Sequence, residues 1–305
     1  MSPATPRAGS RALMPSRREL DRMVRAWLRE DLGSAGDITS KAMIPAARAA
    51  RAVLRARGPG VFAGAEVARR VVAIGAPRVR LGMRCREGDR FRRGDTILTL
   101  HGPLRQILAV ERTLLNALGR LCGVSTATRE LVDRVRGTGA RIRDTRKTTP
   151  GLRLLEKHAV ACGGGLWHRV GLHDAFLAKD NHLSGIPAAA VGAAVRRAVQ
   201  RVRRACRPAF VMVEVDTAAQ FQSIMGLPRG VVDVVLLDNM APAAMRRLVA
   251  RRDRLAPWLR LEASGGVTPR TVRAIARSGV DFISVGGITH SAPQVDLGLD
   301  MVPMA

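Results

Sequence analysis

From residue 140 onward the sequence alternates short apolar runs with helical runs, and few folds accept that rhythm. ARIRDT, LHDAFLA, AFVMVEV, VDVVLLD, LRLEAS and DFISVG read as strands. Helical runs lie between them at about 151–162, 187–204, 217–225, 241–252 and 268–278. Repeated strand–helix units give a parallel sheet, because a parallel neighbour needs a crossover connection. Six strands separated by helices fit a closed or nearly closed β/α barrel better than an open sheet, although strand number alone does not decide between them. No GxGxxG run follows the first strand, which counts against a dinucleotide-binding fold.

The first half reads differently. Ser16-Arg17-Arg18-Glu19 is a capping box, and Leu20, Met23, Val24, Trp27 and Leu28 recur at helical spacing behind it. That predicts an amphipathic helix to about Leu32. Residues 51–101 carry short runs such as RAVLRAR and DTILTLHG, broken by Gly and Asp, and predict strands of an antiparallel sheet. A long helix is expected at about 104–120 after Pro103, with Gly123 separating it from a second at about 125–136.

The polar residues of the second half gather at strand ends. Thr145-Arg146-Lys147, Lys179-Asp180-Asn181, Glu214 and Asp216, Asp238-Asn239, Glu262 and Ser264, and Gly286-Gly287 each stand at the carboxyl end of an expected strand. In a β/α barrel those ends converge on one mouth, where active sites form. Arg146, Lys147, His168, Arg169 and Lys179 supply a cationic half suited to carboxylates or phosphates. Glu214 and Asp238 supply an acidic half able to hold Mg²⁺ through its waters or to bind sugar hydroxyls. The glycine turns Ser264-Gly265-Gly266 and Gly286-Gly287 can present backbone N–H groups to a phosphate. No serine or cysteine nucleophile stands beside a base, and Cys162 falls at a helix end, where packing is its expected role. Such a site is electrostatic, and it suits transfer of a phosphorylated sugar better than acyl transfer.

Charge and composition limit the alternatives. The formal net charge is +26, which raises the question of nucleic acid. Arginine is spread along the whole chain, however, with no confined basic tract, and tyrosine is absent, so aromatic platforms for bases are scarce. Nucleic-acid binding is therefore not the expected main function. The excess of arginine makes the four lysines, Lys41, Lys147, Lys157 and Lys179, informative. A position that keeps lysine can need a compact ammonium on a flexible stem. Cys85, Cys122, Cys162 and Cys206 form no CxxC pair, which points to a reducing, cytoplasmic setting. No apolar run is long enough to span a membrane, and residues 1–15 read as a loose basic tail.

Read together, EDLGSAGDITS (30–40), ERTLLNALGRLCGVSTATR (111–129), DTRKTTPGLRLLEKHAV, GGGLWHRVGLHDAFLAKDNH, VEVD, LLDNM, EASGGVT and ISVGGITHSAPQVDLGLD resemble the quinolinate phosphoribosyltransferases. The resemblance covers nearly the whole chain after the tail. It implies an N-terminal α/β sandwich domain at 16–128 and a β/α barrel domain at 129–289, with residues of about 290–305 packing back on the first. It implies a homodimer or hexamer whose sites are shared across the interface. The implied reaction joins quinolinate to phosphoribosyl pyrophosphate with Mg²⁺ and releases nicotinate mononucleotide, CO₂ and pyrophosphate, a step of NAD synthesis.

By motif, the resemblance places Arg112 in a neighbouring subunit's site. It assigns Arg146, His168, Arg169 and Lys179 to the quinolinate carboxylates. Lys147, Glu214 and Asp238 are then the catalytic and metal-facing residues, and Ser264, Gly265, Gly286 and Gly287 hold the 5-phosphate. One position departs from the pattern: the family has Asn before the His-Arg pair, and this chain has Trp167. Relatives acting on other ring acids, among them the molybdenum-transport-associated homologues and nicotinate phosphoribosyltransferase, are the nearest rival readings.

Overall fold

A computed structural model describes residues 13–303, which leaves most of the basic tail outside the described residues. The described residues divide into two compact units, one formed by residues 13–129 with 151–164 and 291–303, the other by 130–150 and 165–290. Among the described residues no helix is long and apolar enough to cross a membrane.

The first unit opens with α1 (Arg17–Leu32), whose Ser16–Glu19 capping box forms as the sequence predicts. Leu20, Val24 and Leu28 give it one buried stripe. After α2 (Ile38–Met43), strands β1 (Ala49–Ala56) and β2 (Gly60–Val61) lead into α3 (Ala65–Gly75). Helix α3 corrects the reading of 51–101 as strands alone. Val67, Ala68, Val71 and Val72 are all buried on it at helical spacing, and the Glu87 carboxylate accepts from the backbone N–H of Ala65 at its start. Strands β3 (Arg80–Met83), β4 (Arg90–Phe91) and β5 (Thr96–Pro103) follow. β1 lies between two antiparallel neighbours, β5 and the last strand of the chain.

Helix α4 (Leu104–Arg134) is continuous through Gly123, where the sequence predicts a break. The glycine serves packing instead. A Cβ there would fall on the carbonyl oxygen of Pro293, and the Val295 N–H reaches the Gly119 carbonyl one turn earlier at 3.0 Å. Gly123→Ala is therefore expected to lower stability by about 1–3 kcal/mol, as overpacking does. In an open helix the same change gains about 1 kcal/mol. Thermal unfolding of the variant decides the sign.

The second unit is built on six parallel strands: β6 (Arg141–Arg143), β7 (Phe176–Ala178), β8 (Val211–Val215), β9 (Val234–Asp238), β10 (Arg260–Ser264) and β11 (Phe282–Ser284). Between β6 and β7 the chain contributes α5 (Arg153–Cys162) to the first unit. The strand order is β6-β11-β10-β9-β8-β7, and every pairing is parallel. A parallel bridge from Arg143 to Leu166 extends the β6 edge, giving a barrel-like sheet. Four crossovers carry α6 (Asp180–Leu183) with α7 (Val191–Ala205), α8 (Ala218–Met225), α9 (Pro242–Leu255) and α10 (Val272–Ala276). The short α11 (Gly287–His290) closes this unit, and β12 (Leu297–Val302) returns to the first sheet beside β1.

Candidate active site

Because the six strands run in one direction, their carboxyl ends share one edge, and the residues there line a cavity of about 900 Å³. Two of its strands, β8 and β9, are apolar but for one carboxylate each. Val211, Met212, Val213 and Val215 of β8 are buried, and Glu214 between them faces the cavity. Val234 to Leu237 of β9 are buried, and Asp238 ends the run on the wall. Continuous apolar runs of this kind are those of parallel strands covered on both faces, with the polar residue reaching the opening only near the carboxyl end.

Arg146 and Lys147 follow β6, and His168 and Arg169 follow the Leu166 bridge. Arg169 is 6% exposed, and burial followed by the charge of Arg146 lowers its pKa, with Asp174 pulling the other way. The Nε of Arg146 is buried without a hydrogen-bond partner. Two guanidinium groups thus stand close together at partial desolvation, an arrangement that an anion between them would relieve.

His168 is held from behind. Its backbone N–H donates to Asp144 Oδ1 at 2.6 Å, and its Nδ1 accepts from the Arg169 N–H at 2.7 Å. That bond assigns the neutral ring's proton to Nε2, which lies 3.7 Å from Glu262 Oε1. Phe210 packs edge-on against the ring at 5.3 Å between centroids.

The acidic half is not isolated from the cations. Lys179 Nζ lies 3.4 Å from Glu214 Oε2. Burial pushes the Glu214 carboxyl above its ordinary value, Lys179 pulls it down, and the charge of Asp238 pushes it up again. Asp238 accepts from Asn239 Nδ2 at 2.7 Å.

The glycine turns are shaped by close approach. Gly265 has φ +91°, and a Cβ there would fall on Asn239 Oδ1. Asn239 itself takes a left-handed φ of 51°, and its N–H reaches the Ser264 carbonyl at 2.9 Å, locking the ends of β9 and β10 together. Gly286 leaves room for the Lys147 stem, since a Cβ would stand 3.0 Å from Lys147 Cδ. The Lys147 backbone is fixed on both sides: its N–H donates to Thr145 Oγ1, and its carbonyl accepts from Thr289 Oγ1 at 2.7 Å.

The structure therefore brings together Arg146, Lys147, His168, Arg169, Lys179, Glu214, Asp238, Ser264, Gly265, Gly286 and Gly287 on one cavity. Asp216 is not on that wall; it is exposed, and its N–H is bound to Gln220. Trp167 is partly buried and also lies off the wall. Arg112 is exposed on α4 of the first unit.

Glu262 corrects the sequence reading more sharply. Grouped there with the polar strand ends, it is fully buried beneath the mouth. Arg143 NH1 contacts its Oε2 at 2.6 Å, Ser284 Oγ donates to its Oε1, and the Arg143 guanidinium sits 3.5 Å over the Phe282 ring. Burial pushes the Glu262 carboxyl up, and Arg143 opposes that. Glu262 stands between apolar Leu261 and Ala263, but the partner that accounts for its burial, Arg143, lies on β6, with β11 between the two strands and 119 residues away in the chain. Asp144, fully buried behind His168, was missed for the same reason.

Comparison with known proteins adds an independent line. The model of the quinolinate phosphoribosyl transferase C-terminal domain matches residues 124–300, and that of the N-terminal domain matches 37–122. A nicotinate-nucleotide pyrophosphorylase [carboxylating] of Mycobacterium leprae is 41% identical over 91% of this chain and 95% of its own length. A quinolinate phosphoribosyltransferase [decarboxylating] of Nicotiana tabacum is 34% identical over 92% of this chain and 82% of its own. The solved nicotinate-nucleotide pyrophosphorylase of Francisella tularensis superposes with a TM-score of 0.85 at 31% identity, covering 96% of this chain and 99% of that one. Human nicotinic acid phosphoribosyltransferase shares the fold alone, at 13% identity and a TM-score of 0.53.

Proposed function

The chain belongs to the quinolinate phosphoribosyltransferase family, and we propose that its barrel mouth joins quinolinate to phosphoribosyl pyrophosphate with loss of CO₂. The observation that carries the reading is the adjacent, partly desolvated pair Arg146 and Arg169. A ring bearing two neighbouring carboxylates supplies the anionic charge that such a pair lacks. Arg146 and Arg169 take the carboxylates, with His168 and Lys179 completing the clamp. Ser264, Gly265, Gly286 and Gly287, at the ends of β10 and β11, receive the 5-phosphate.

The ring nitrogen attacks the ribose C1 as the bond from C1 to the pyrophosphate oxygen breaks. The N-ribosylated ring is then a pyridinium. The electron pair left when the 2-carboxylate departs as CO₂ is stabilised by that positive nitrogen, and C2 takes a proton from solvent. No side-chain general base is needed. The protein's share is alignment and stabilisation of the leaving pyrophosphate, and Lys147 is the cation placed for the latter.

Glu214 and Asp238 suit Mg²⁺, which binds through one or two carboxylates together with substrate phosphates and retained waters. Bound there with the substrate, Mg²⁺ would neutralise pyrophosphate charge. Lys179, already paired with Glu214, would keep that carboxylate oriented. Arg112 of a second copy, exposed on α4, completes the site in a dimer or larger assembly.

Arg169→Ala tests the clamp. The variant is expected to raise KM for quinolinate about 10- to 100-fold, the loss of a charged hydrogen bond of roughly 1.5–3 kcal/mol. KM for phosphoribosyl pyrophosphate should change far less. Equal increases for both substrates in steady-state kinetics would contradict the assignment.

A further inference from the structure

The first unit holds a second concave site that the transferase reaction does not use. Glu87 and His158 stand on the wall of a cavity of about 830 Å³, and Cys162 lies one helical turn beyond His158 on α5. The i, i+4 spacing puts both side chains on one helix face. Glu87 comes from the turn after β3 and also caps α3 through Gly64 and Ala65. Cys162 Sγ is 3.3 Å from Glu87 Oε2 and 3.5 Å from His158 Nε2, and His158 Nε2 is 3.3 Å from Glu87 Oε1. The sequence reading of Cys162 as packing alone is therefore incomplete.

The two contacts to Glu87 end on different carboxylate oxygens, and one ligand atom of each of the three residues lies within 4.8 Å of the other two, close enough for a single cation to draw them onto one face of a ligand tetrahedron. With metal–sulfur bonds of about 2.3 Å and metal–nitrogen or –oxygen bonds of about 2.0–2.1 Å, tetrahedral ligand atoms stand roughly 3.3–3.6 Å apart. A thiol, an imidazole and a carboxylate select a borderline-soft cation over Mg²⁺. A Cys–His nucleophile is the rival reading, and the surroundings oppose it. Burial, and then the charge of Glu87, push the Cys162 thiol well above its ordinary pKa, so the metal-free protein keeps it protonated. A dication reverses that balance, because a coordinating thiol is deprotonated outright.

We propose that Glu87, His158 and Cys162 form a three-ligand Zn²⁺ site whose fourth position opens to this cavity. On binding, the Cys162 proton passes to solvent, and the thiolate and carboxylate together neutralise the dication. Arg69, Arg84 and Arg86 line the same cavity, so the open position takes water or a small anion. His158 Nδ1 is buried without a partner. The bond that usually steadies a metal-bound imidazole from behind is thus missing, and affinity about 10- to 100-fold below that of a supported site is expected.

Cobalt(II) is the probe. The full-length chain is reduced, stripped with chelator and titrated with Co²⁺ in excess Mg²⁺, which competes for carboxylate sites such as Glu214 and Asp238. The expected result is one equivalent of Co²⁺ with tetrahedral ligand-field bands and a thiolate-to-cobalt charge-transfer band, both removed by Zn²⁺. Cys162→Ser should abolish the charge-transfer band, and His158→Gln should weaken binding at least tenfold. Both variants are to be checked for native circular dichroism and for unchanged quinolinate turnover. Absence of the charge-transfer band in the wild type, or its persistence in natively folded Cys162→Ser, overturns the proposal.

Discussion

Lys147→Ala is expected to lower kcat about 10²- to 10³-fold, the usual cost of removing one preorganised group that meets transition-state charge. KM for either substrate should move much less. The reason lies in timing. Negative charge on the departing pyrophosphate grows as the bond to C1 breaks, so a cation aimed at it acts mainly in the transition state. The setting of Lys147 suits that role, since its backbone is tied to Thr145 and Thr289 and its stem passes over the bare Cα of Gly286. Lys147→Arg should recover little, because a planar fork does not replace a compact ammonium in a slot cut for its stem. A rise in KM with kcat unchanged would instead mean that Lys147 binds both states equally.

Glu262→Gln is expected to cost about 3–5 kcal/mol of stability, since it leaves the Arg143 guanidinium buried without its counter-charge. Arg143 is 3% exposed and Glu262 is fully buried, so water cannot take the missing partner's place. The Ser284 hydroxyl, which donates to the same carboxylate, would also need a new geometry. The double variant Arg143→Met/Glu262→Gln should recover a substantial part of the loss, because no buried charge remains. Equilibrium unfolding of the two single variants and the double variant measures the coupling. Additive losses would show that the pair does not act as a unit. The loss should reach the active site, because Glu262 also faces His168 Nε2.

How far the sequence could be read followed from where each residue's constraint lies. The barrel strands were legible because the chain itself alternates between apolar runs and helical runs. The mouth was legible because parallel strands put all their carboxyl ends on one edge, so Arg146, Lys179, Glu214 and Asp238 had to meet. Constraints set by distant partners were not legible. Gly123 reads as a break until Pro293 is seen against it. Helix α3 hid among strand-like runs, since the Glu87 carboxylate that caps it lies 22 residues further along the chain. Glu262 was placed on the mouth wall because its burial depends on Arg143, 119 residues away. Glu87, His158 and Cys162 drew no metal reading because they share no short motif; the turn after β3 and one face of α5 bring them together.

The most direct test of the proposed reaction is turnover with two ring acids. The purified chain is mixed with phosphoribosyl pyrophosphate, Mg²⁺ and either quinolinate or nicotinate, and both nicotinate mononucleotide and CO₂ are followed. Nicotinate mononucleotide and CO₂ are expected in equal amounts from quinolinate. No product is expected from nicotinate, which lacks the second carboxylate that Arg146 and Arg169 require. Product from nicotinate at a comparable rate, or none from quinolinate with the protein natively folded, would contradict the proposed reaction.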